Sequence, residues 1–444
     1  MPAPDRASQV RSRSHAAWLI SGGTVVTMDP LLGDIADCDV LVRNGAIVEI
    51  GRGLAAGDAE RIDARDCIVM PGLIDTHWHM WNTLARGLSR SAKGGFQPTM
   101  TALAKVWTPD AAALGVRLAL AEAVDGGITC AVNWAHNIRS PAHARAEFGA
   151  MDESGVRGRF SYGYPNDLPA GETMDVADLI QLRREAFVVR RGLVGLGVCV
   201  RGPERSDESV WRHEWSAARD LGLPLSTHIA TTREAAAKRA VATLARDGLL
   251  GRDIQLVHAT HATAQDFESI AAAGSPLSLS PWTELEVGYG VPPVAAAMRA
   301  GVRLSLSVDN QMLAGRADMF AVMKLAADIA SGSEQNQSAI TNRDALRWAT
   351  LGGAEDLGIA DAVGSLAPGK RADLIMVRSD RLGVAPYASV DSLLTHSAQA
   401  ADVDFVMIDG VVHKRDGRLL RIDVPALLRE ATREIGRMRT AADV

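Results

Sequence analysis

The sequence predicts an α/β protein: a (β/α)8 TIM-like barrel carrying a small β-sandwich built from both N- and C-terminal segments. Three observations predict it. Short apolar strands alternate with helical stretches through the middle of the chain, which is the pattern of parallel βα units. Strand-like runs punctuated by turns stand before and after that region. Several of the middle strands end in histidine or aspartate, and a barrel of this kind collects its chemistry at the C-terminal ends of its strands.

The elements follow in order. Residues 1–16 carry Arg6, Arg11 and Arg13 without an apolar core, so they do not read as a secretory signal and are expected to be a disordered lead. Residues 18–20, 24–28, 40–42 and 46–50 are β-like runs, with Asn44-Gly45 as a hairpin turn between the last two. Similar runs return at 372–377, 405–408 and 411–413. Segments 17–66 and 369–420 are therefore expected to form one composite β-sandwich domain. Residues 67–368 are expected to form the barrel, with strands at 68–77, 128–136, 158–164, 194–200, 223–228, 254–258, 276–281 and 303–309. Helical stretches such as 108–125 and 209–221 lie between them. Residues 421–444 form a helical tail.

A chain of 444 residues accommodates a barrel of about 250 residues plus a second domain. Apolar residues are 47% and charged residues 23%, which is ordinary for a soluble globular protein. With a net charge of −6 and no basic block, composition gives no support for nucleic acid or an anionic membrane as partner. No apolar run reaches the roughly 18 residues of a membrane helix. Cys38, Cys67, Cys130 and Cys199 are scattered in apolar contexts, which suits reduced core residues in a cytoplasmic protein.

The most informative stretch is Pro-Gly-Leu-Ile-Asp-Thr-His77-Trp78-His79. Side chains alternate along a strand, so His77 and His79 share one face and Trp78 takes the other. Two imidazoles on one face at a strand end suit a divalent metal, zinc or iron above all. Strand five ends in Thr-His228, strand six in Val-His258 and strand eight in Val-Asp309, while strand two adds His136. The spacing alone leaves open a strand-end histidine that is merely a satisfied polar residue. Four such ends at the expected topological positions favour a metal centre.

With these motifs the chain resembles the amidohydrolase superfamily, and within it the atrazine/triazine-hydrolase and cytosine-deaminase-like branch. The resemblance spans nearly all of residues 17–420. It rests on the His77-x-His79 segment, Thr-His228, Val-His258-Ala-Thr-His261, Ser-Val-Asp309-Asn310, and the later Gly364-Ser-Leu-Ala-Pro-Gly-Lys-Arg-Ala-Asp-Leu-Ile. It implies that His77, His79, His228 and Asp309 ligate one divalent metal. It also implies that His258 hydrogen-bonds the bound water or the substrate, and that Asp309 shuttles a proton from water to the leaving group. Two-metal members usually carry a lysine on strand four. Strand four here ends Val-Cys-Val-Arg201, so one metal is expected. Arg201 is expected either to meet an anionic or carbonyl group of the substrate or to pair with a loop carboxylate.

The chain departs from the resemblance at one position. Deaminases of that branch usually carry glutamate three residues after the fifth-strand histidine, as the acid that protonates a ring nitrogen. Here the segment is His228-Ile-Ala-Thr231. Glu284 or Glu286 after strand seven, or His136, are the candidate replacements. Trp81, Trp134 and Trp282 fall near strand ends, and an aromatic wall would suit a flat ring substrate. Gln311 follows the metal aspartate and is a candidate substrate contact.

The expected function is hydrolysis at an sp² carbon of a ring-containing C–N compound by metal-bound hydroxide, with a small flat heterocycle or amide-like molecule as substrate. The alternatives are a non-hydrolytic lyase on the same scaffold and a metal-binding protein without catalysis. The resemblance also favours a homo-oligomer.

Overall fold

The computed structural model describes residues 17–91, 93–188 and 192–444, so the expected disordered lead lies outside the described residues. Eight parallel strands form the central sheet: β1 (Leu73–Trp78), β2 (Ile128–Ala135), β3 (Arg157–Tyr162), β4 (Val194–Val200), β5 (Leu225–Ile229), β6 (Ile254–His258), β7 (Pro276–Leu279) and β8 (Arg303–Leu306). They lie in sequence order from β1 to β8. Just past β8, Asp309 bridges Trp78 and brings the two ends of the sheet together. The backbone N–H of Asp309 donates to His77 O at 3.0 Å, and His79 N donates to Asp309 O at 2.7 Å. Helices between the strands cover the outside, as the βα alternation predicts. The helix Pro109–Asp125 starts where Thr108 accepts a hydrogen bond from Ala111 N, with proline in its first turn.

A second, mixed sheet of nine strands draws on both ends of the chain. From one edge it runs Arg418–Leu419, Val411–Arg415, Val403–Ile408, Leu374–Arg378, Cys67–Pro71, Trp18–Val26, Asp34–Arg43 and Ala46–Gly51, with Glu60–Asp63 beside Trp18–Val26. Asn44 and Gly45 both have positive φ, as a tight hairpin turn requires. The strands are apolar on both faces. Cys67, Val69, Leu374 and Met376 point into a core of this sheet's own, while Ile68, Met70, Ile375 and Val377 join the barrel's outer core. Arg157 at the foot of β3 fastens the two sheets through a partly buried ion pair to Asp373, 2.7 Å away.

The apolar run predicts one barrel strand over 68–77. The chain instead divides it at Gly72: Cys67–Pro71 pairs antiparallel with Leu374–Arg378, and only Leu73 onward enters the barrel. Gly72 donates its N–H to Asp373 O, and a Cβ there would lie 2.0 Å from Thr129 Oγ1. A strand buried on both faces looks the same in either sheet, which is why hydropathy does not reveal the break.

The tail is a helix, Val424–Ala442, capped by Asp423, whose Ala431 and Met438 pack with Met100, Leu103 and Trp107. Among the described residues no helix is long and apolar enough to cross a membrane.

The tight passage at residue 72 leads to an expected outcome. Gly72→Ala should destabilise the protein by about 1–3 kcal/mol through overpacking against Thr129. Chemical unfolding checks it, and Thr129→Ala in the same chain should return most of the loss.

Candidate active site

The strand ends bring His77, His79, His228, His258 and Asp309 into one cluster inside the mouth of the barrel. His77 Nε2 lies 3.1 Å from Asp309 Oδ1 and 3.2 Å from His228 Nε2, and His79 Nε2 lies 3.2 Å from the same carboxylate oxygen. His258 Nε2 faces the other oxygen, Oδ2, at 3.9 Å. Exposure is 0% for His77, 5% for His79, 7% for His228 and 3% for Asp309, so these groups have lost nearly all their water.

Local backbone geometry aims them. His258, Ala259 and Asp309 all have positive φ, as does Ala230 two residues past His228. Left-handed backbone costs non-glycine residues of order 1 kcal/mol or more each. Here it turns the chain sharply at the strand end while the side chain stays in the barrel. Asp75 supplies the frame. Its carboxyl group accepts from His77 N at 3.1 Å and from Val308 N at 2.8 Å, which ties β1 to the end of β8. Burial raises the Asp75 pKa well above the carboxylate range. No role for Asp75 was read from the sequence, although it stands inside the most informative motif.

Burial pushes the imidazole pKa of His77 down and those of His79 and His228 well down, so the rings are neutral and keep a lone pair. His79 Nδ1 lies 3.2 Å from Trp134 O, a pure acceptor, so Nδ1 carries the proton and Nε2 presents its lone pair to the cluster. Lone pairs of several neutral imidazoles crowding a carboxylate need a cation between them. Metal–nitrogen bonds of about 2.0–2.1 Å place neighbouring tetrahedral ligand atoms roughly 3.3–3.4 Å apart. The separations of 3.1–3.2 Å fit such a set. His77, His79 and His228, and likewise His77, His258 and Asp309, each offer ligand atoms within 4.8 Å of one another.

Glu284 sits behind His258. Its Oε1 is 3.0 Å from His258 Nδ1 and accepts from Ser280 N at 2.9 Å. It is fully buried on the side of the imidazole away from Asp309, so it orients His258 and leaves the position beside Thr231 to other groups. Glu286, two residues along the short helix Pro281–Glu286, points outward to Arg90. His136 does line the cluster: its ring is 4.2 Å from that of His79, its Nδ1 accepts from Trp81 Nε1 at 3.3 Å, and burial lowers its pKa to about 3.

The remaining candidates divide. Trp134 is buried against the histidine cluster, 4.1 Å from the His228 ring, and its indole donates to Ser226. Trp81 packs edge-on against Trp107 and His136. Three other candidates have their visible partners elsewhere. Arg201 places its guanidinium on the carbonyls of Leu168, Pro169 and Glu172, 3.5 Å from Glu214 of the helix Glu208–Asp220, and over the Tyr164 ring. Gln311 donates to Glu122. Trp282 lines an outer groove with Leu285, Leu325 and Lys324. Tyr164, Tyr289 and Arg205 were missed. Tyr164 lies 6.2 Å from His136 and Tyr289 lies 5.4 Å from His258, ring to ring. Tyr164 ends a predicted strand, which was the available signal.

The sequence profile of the amidohydrolase family matches residues 68–412. The chain belongs to the amidohydrolase family. The 5'-deoxyadenosine deaminase of Methanosarcina mazei is 29% identical over 432 residues, 93% of this chain and 96% of that protein. The 5-methylthioadenosine/S-adenosylhomocysteine deaminase of Halobacterium salinarum is 28% identical over 442 residues, 95% and 98%. Among solved structures, an adenosine deaminase from Xanthomonas campestris with bound zinc superposes with a TM-score of 0.86 at 26% identity, covering 96% of this chain and 99% of that one. Zinc-bound atrazine chlorohydrolase from Arthrobacter aurescens superposes at 0.84 with 22% identity, covering 94% and 100%, which shows the shared fold. This amidohydrolase is a hydrolase of carbon–nitrogen bonds other than peptide bonds, and its His/Asp cluster fits a divalent metal.

The donor set gives a direct expectation. The purified protein should carry a divalent metal that His77→Ala loses, as measured by elemental analysis, because His77 belongs to both ligand groupings. Full metal retention in that variant would place the ion elsewhere.

Proposed function

We propose that the chain is a mononuclear aminohydrolase or amidohydrolase that displaces an amine or another leaving group from an sp² carbon of a flat nitrogen heterocycle or amide-like compound. The observation that carries this reading is the convergence of His77, His79, His228 and Asp309 on one point, with His258 facing the second oxygen of Asp309. A single ion is supported by the sharing of His77 between the two possible ligand groups and by a fourth strand that ends without lysine. Zinc is supported by the zinc in the X. campestris and A. aurescens enzymes, and iron suits the same ligands.

When bound, the metal supplies the Lewis acidity that makes water a nucleophile near neutral pH. The two oxygens of Asp309 have different surroundings. Oδ1 lies among the ligand imidazoles, while Oδ2 faces His258 and is free to take a proton from water and hand it to the leaving group. Glu284 holds the Nδ1 proton of His258, so His258 Nε2 is an acceptor that orients water or a substrate N–H. His136, with Nδ1 taken by Trp81, offers its Nε2–H as a donor to a substrate atom. Trp81, His136, Tyr164 and Tyr289 give the mouth aromatic sides that suit a planar ring. The reading includes a cytoplasmic homo-oligomer; the four buried free cysteines are consistent with a reducing compartment.

The test is turnover of aminated heterocycles, cyclic amides and adenosine derivatives by metal-loaded protein in oxygen-18 water. Solvent oxygen should appear on the product carbon, and Asp309→Asn should lower kcat by about 100- to 10,000-fold. Product without solvent oxygen would replace this reading with a lyase. Metal-loaded protein that turns over nothing would replace it with a binding role.

A further inference from the structure

The residue three positions after His228 is Thr231, and it is buried. The guanidinium of Arg205, from the short turn Gly202–Arg205 after β4, reaches it: Nη2 lies 3.5 Å from Thr231 Oγ1. The Arg205 charge also reaches Tyr289, whose ring stands 5.4 Å from that of His258. Arg205 is exposed and stands beside the end of β5, and its charge is felt at His136, His228 and Tyr164. Its neighbour Glu204 gives its carboxylate to Ala230 N instead, and among the described residues no carboxylate pairs with Arg205. Arg201, which the sequence suggests as the cation of this region, is consumed by loop carbonyls.

A guanidinium cannot give up a proton in the physiological range, so Arg205 cannot serve as the acid that protonates a ring nitrogen. What it can do is hold a negative oxygen in a planar, charge-assisted contact. The neighbouring Thr231 and Tyr289 hydroxyls add donors of the same polarity.

We propose that Arg205, with Thr231 and Tyr289, is a specificity site for a carboxylate carried on the heterocycle beside the reacting carbon. The inference rests on the hydrolase reading and narrows its substrates to anionic rings. Arg205 selects and positions the substrate, and the chemical step stays with Asp309.

The test compares a matched pair, 3-aminopyrazine-2-carboxylate and aminopyrazine, on metal-loaded wild type, Arg205→Met and Arg205→Lys. Calorimetric binding and ammonia release are read in parallel. Wild type should bind the carboxylate about tenfold or more tighter than the neutral ring, the worth of one charge-assisted contact. Arg205→Met should erase the preference, with Arg205→Lys recovering part of it, and any turnover should lose KM more than kcat. Equal binding of the two rings, or a preference that survives in Arg205→Met because the carboxylate sits on the metal, overturns the proposal. Selective binding lost in Arg205→Met without ammonia release upholds this site and counts against the hydrolase reading. Ammonia release from both rings at rates indifferent to Arg205 does the reverse.

Discussion

The pair of backbone hydrogen bonds between the end of β1 and Asp309 is the constraint on which the site depends. Asp309 N donates to His77 O, and His79 N donates to Asp309 O. These two bonds close the ring of strands and, in the same act, set His77, His79 and Asp309 against one another. The Asp75 carboxyl group reinforces the closure by taking N–H groups from both sides of the seam. A side chain that orients ligands from behind controls them nearly as strongly as the ligand choice itself. The fold and the metal centre are therefore one construction, and loosening the seam would loosen both.

Electrostatics explains why the cluster demands an ion. Imidazoles stripped of water give up protons, which the downward pKa shifts of His77, His79 and His228 express. Neutral rings then crowd lone pairs around a carboxylate, an arrangement that is costly unless a cation enters it. The same chemistry separates the outer cation from the inner site. Arg205 gives its hydrogen bond to Thr231, outside the histidine and aspartate cluster.

Much of this was legible in the sequence, for identifiable reasons. Period-two alternation puts His77 and His79 on one face whatever the rest of the fold, and barrel topology places His228, His258 and Asp309 at the same end. Features set by tertiary contact were not legible. The break at Gly72 depends on the close approach of Thr129, and Cys67–Pro71 before it and Leu73–Trp78 after it are alike buried at every position. Glu284 and Glu286 differ only in which side of a short helix they occupy, so one is buried behind His258 and the other pairs with Arg90. Arg201 stands at a strand end as the pattern asks, yet loop carbonyls near residue 170 capture it, and Arg205, four residues later, reaches Thr231 instead.

The central claim is that three neutral imidazoles and one carboxylate hold a single ion. X-ray absorption at the metal edge of the purified protein tests it most directly. The account predicts a first shell of nitrogen and oxygen near 2.0–2.1 Å with the outer-shell scattering of about three imidazole rings. A sulfur shell near 2.3 Å, or an oxygen shell without imidazole scattering, would contradict it.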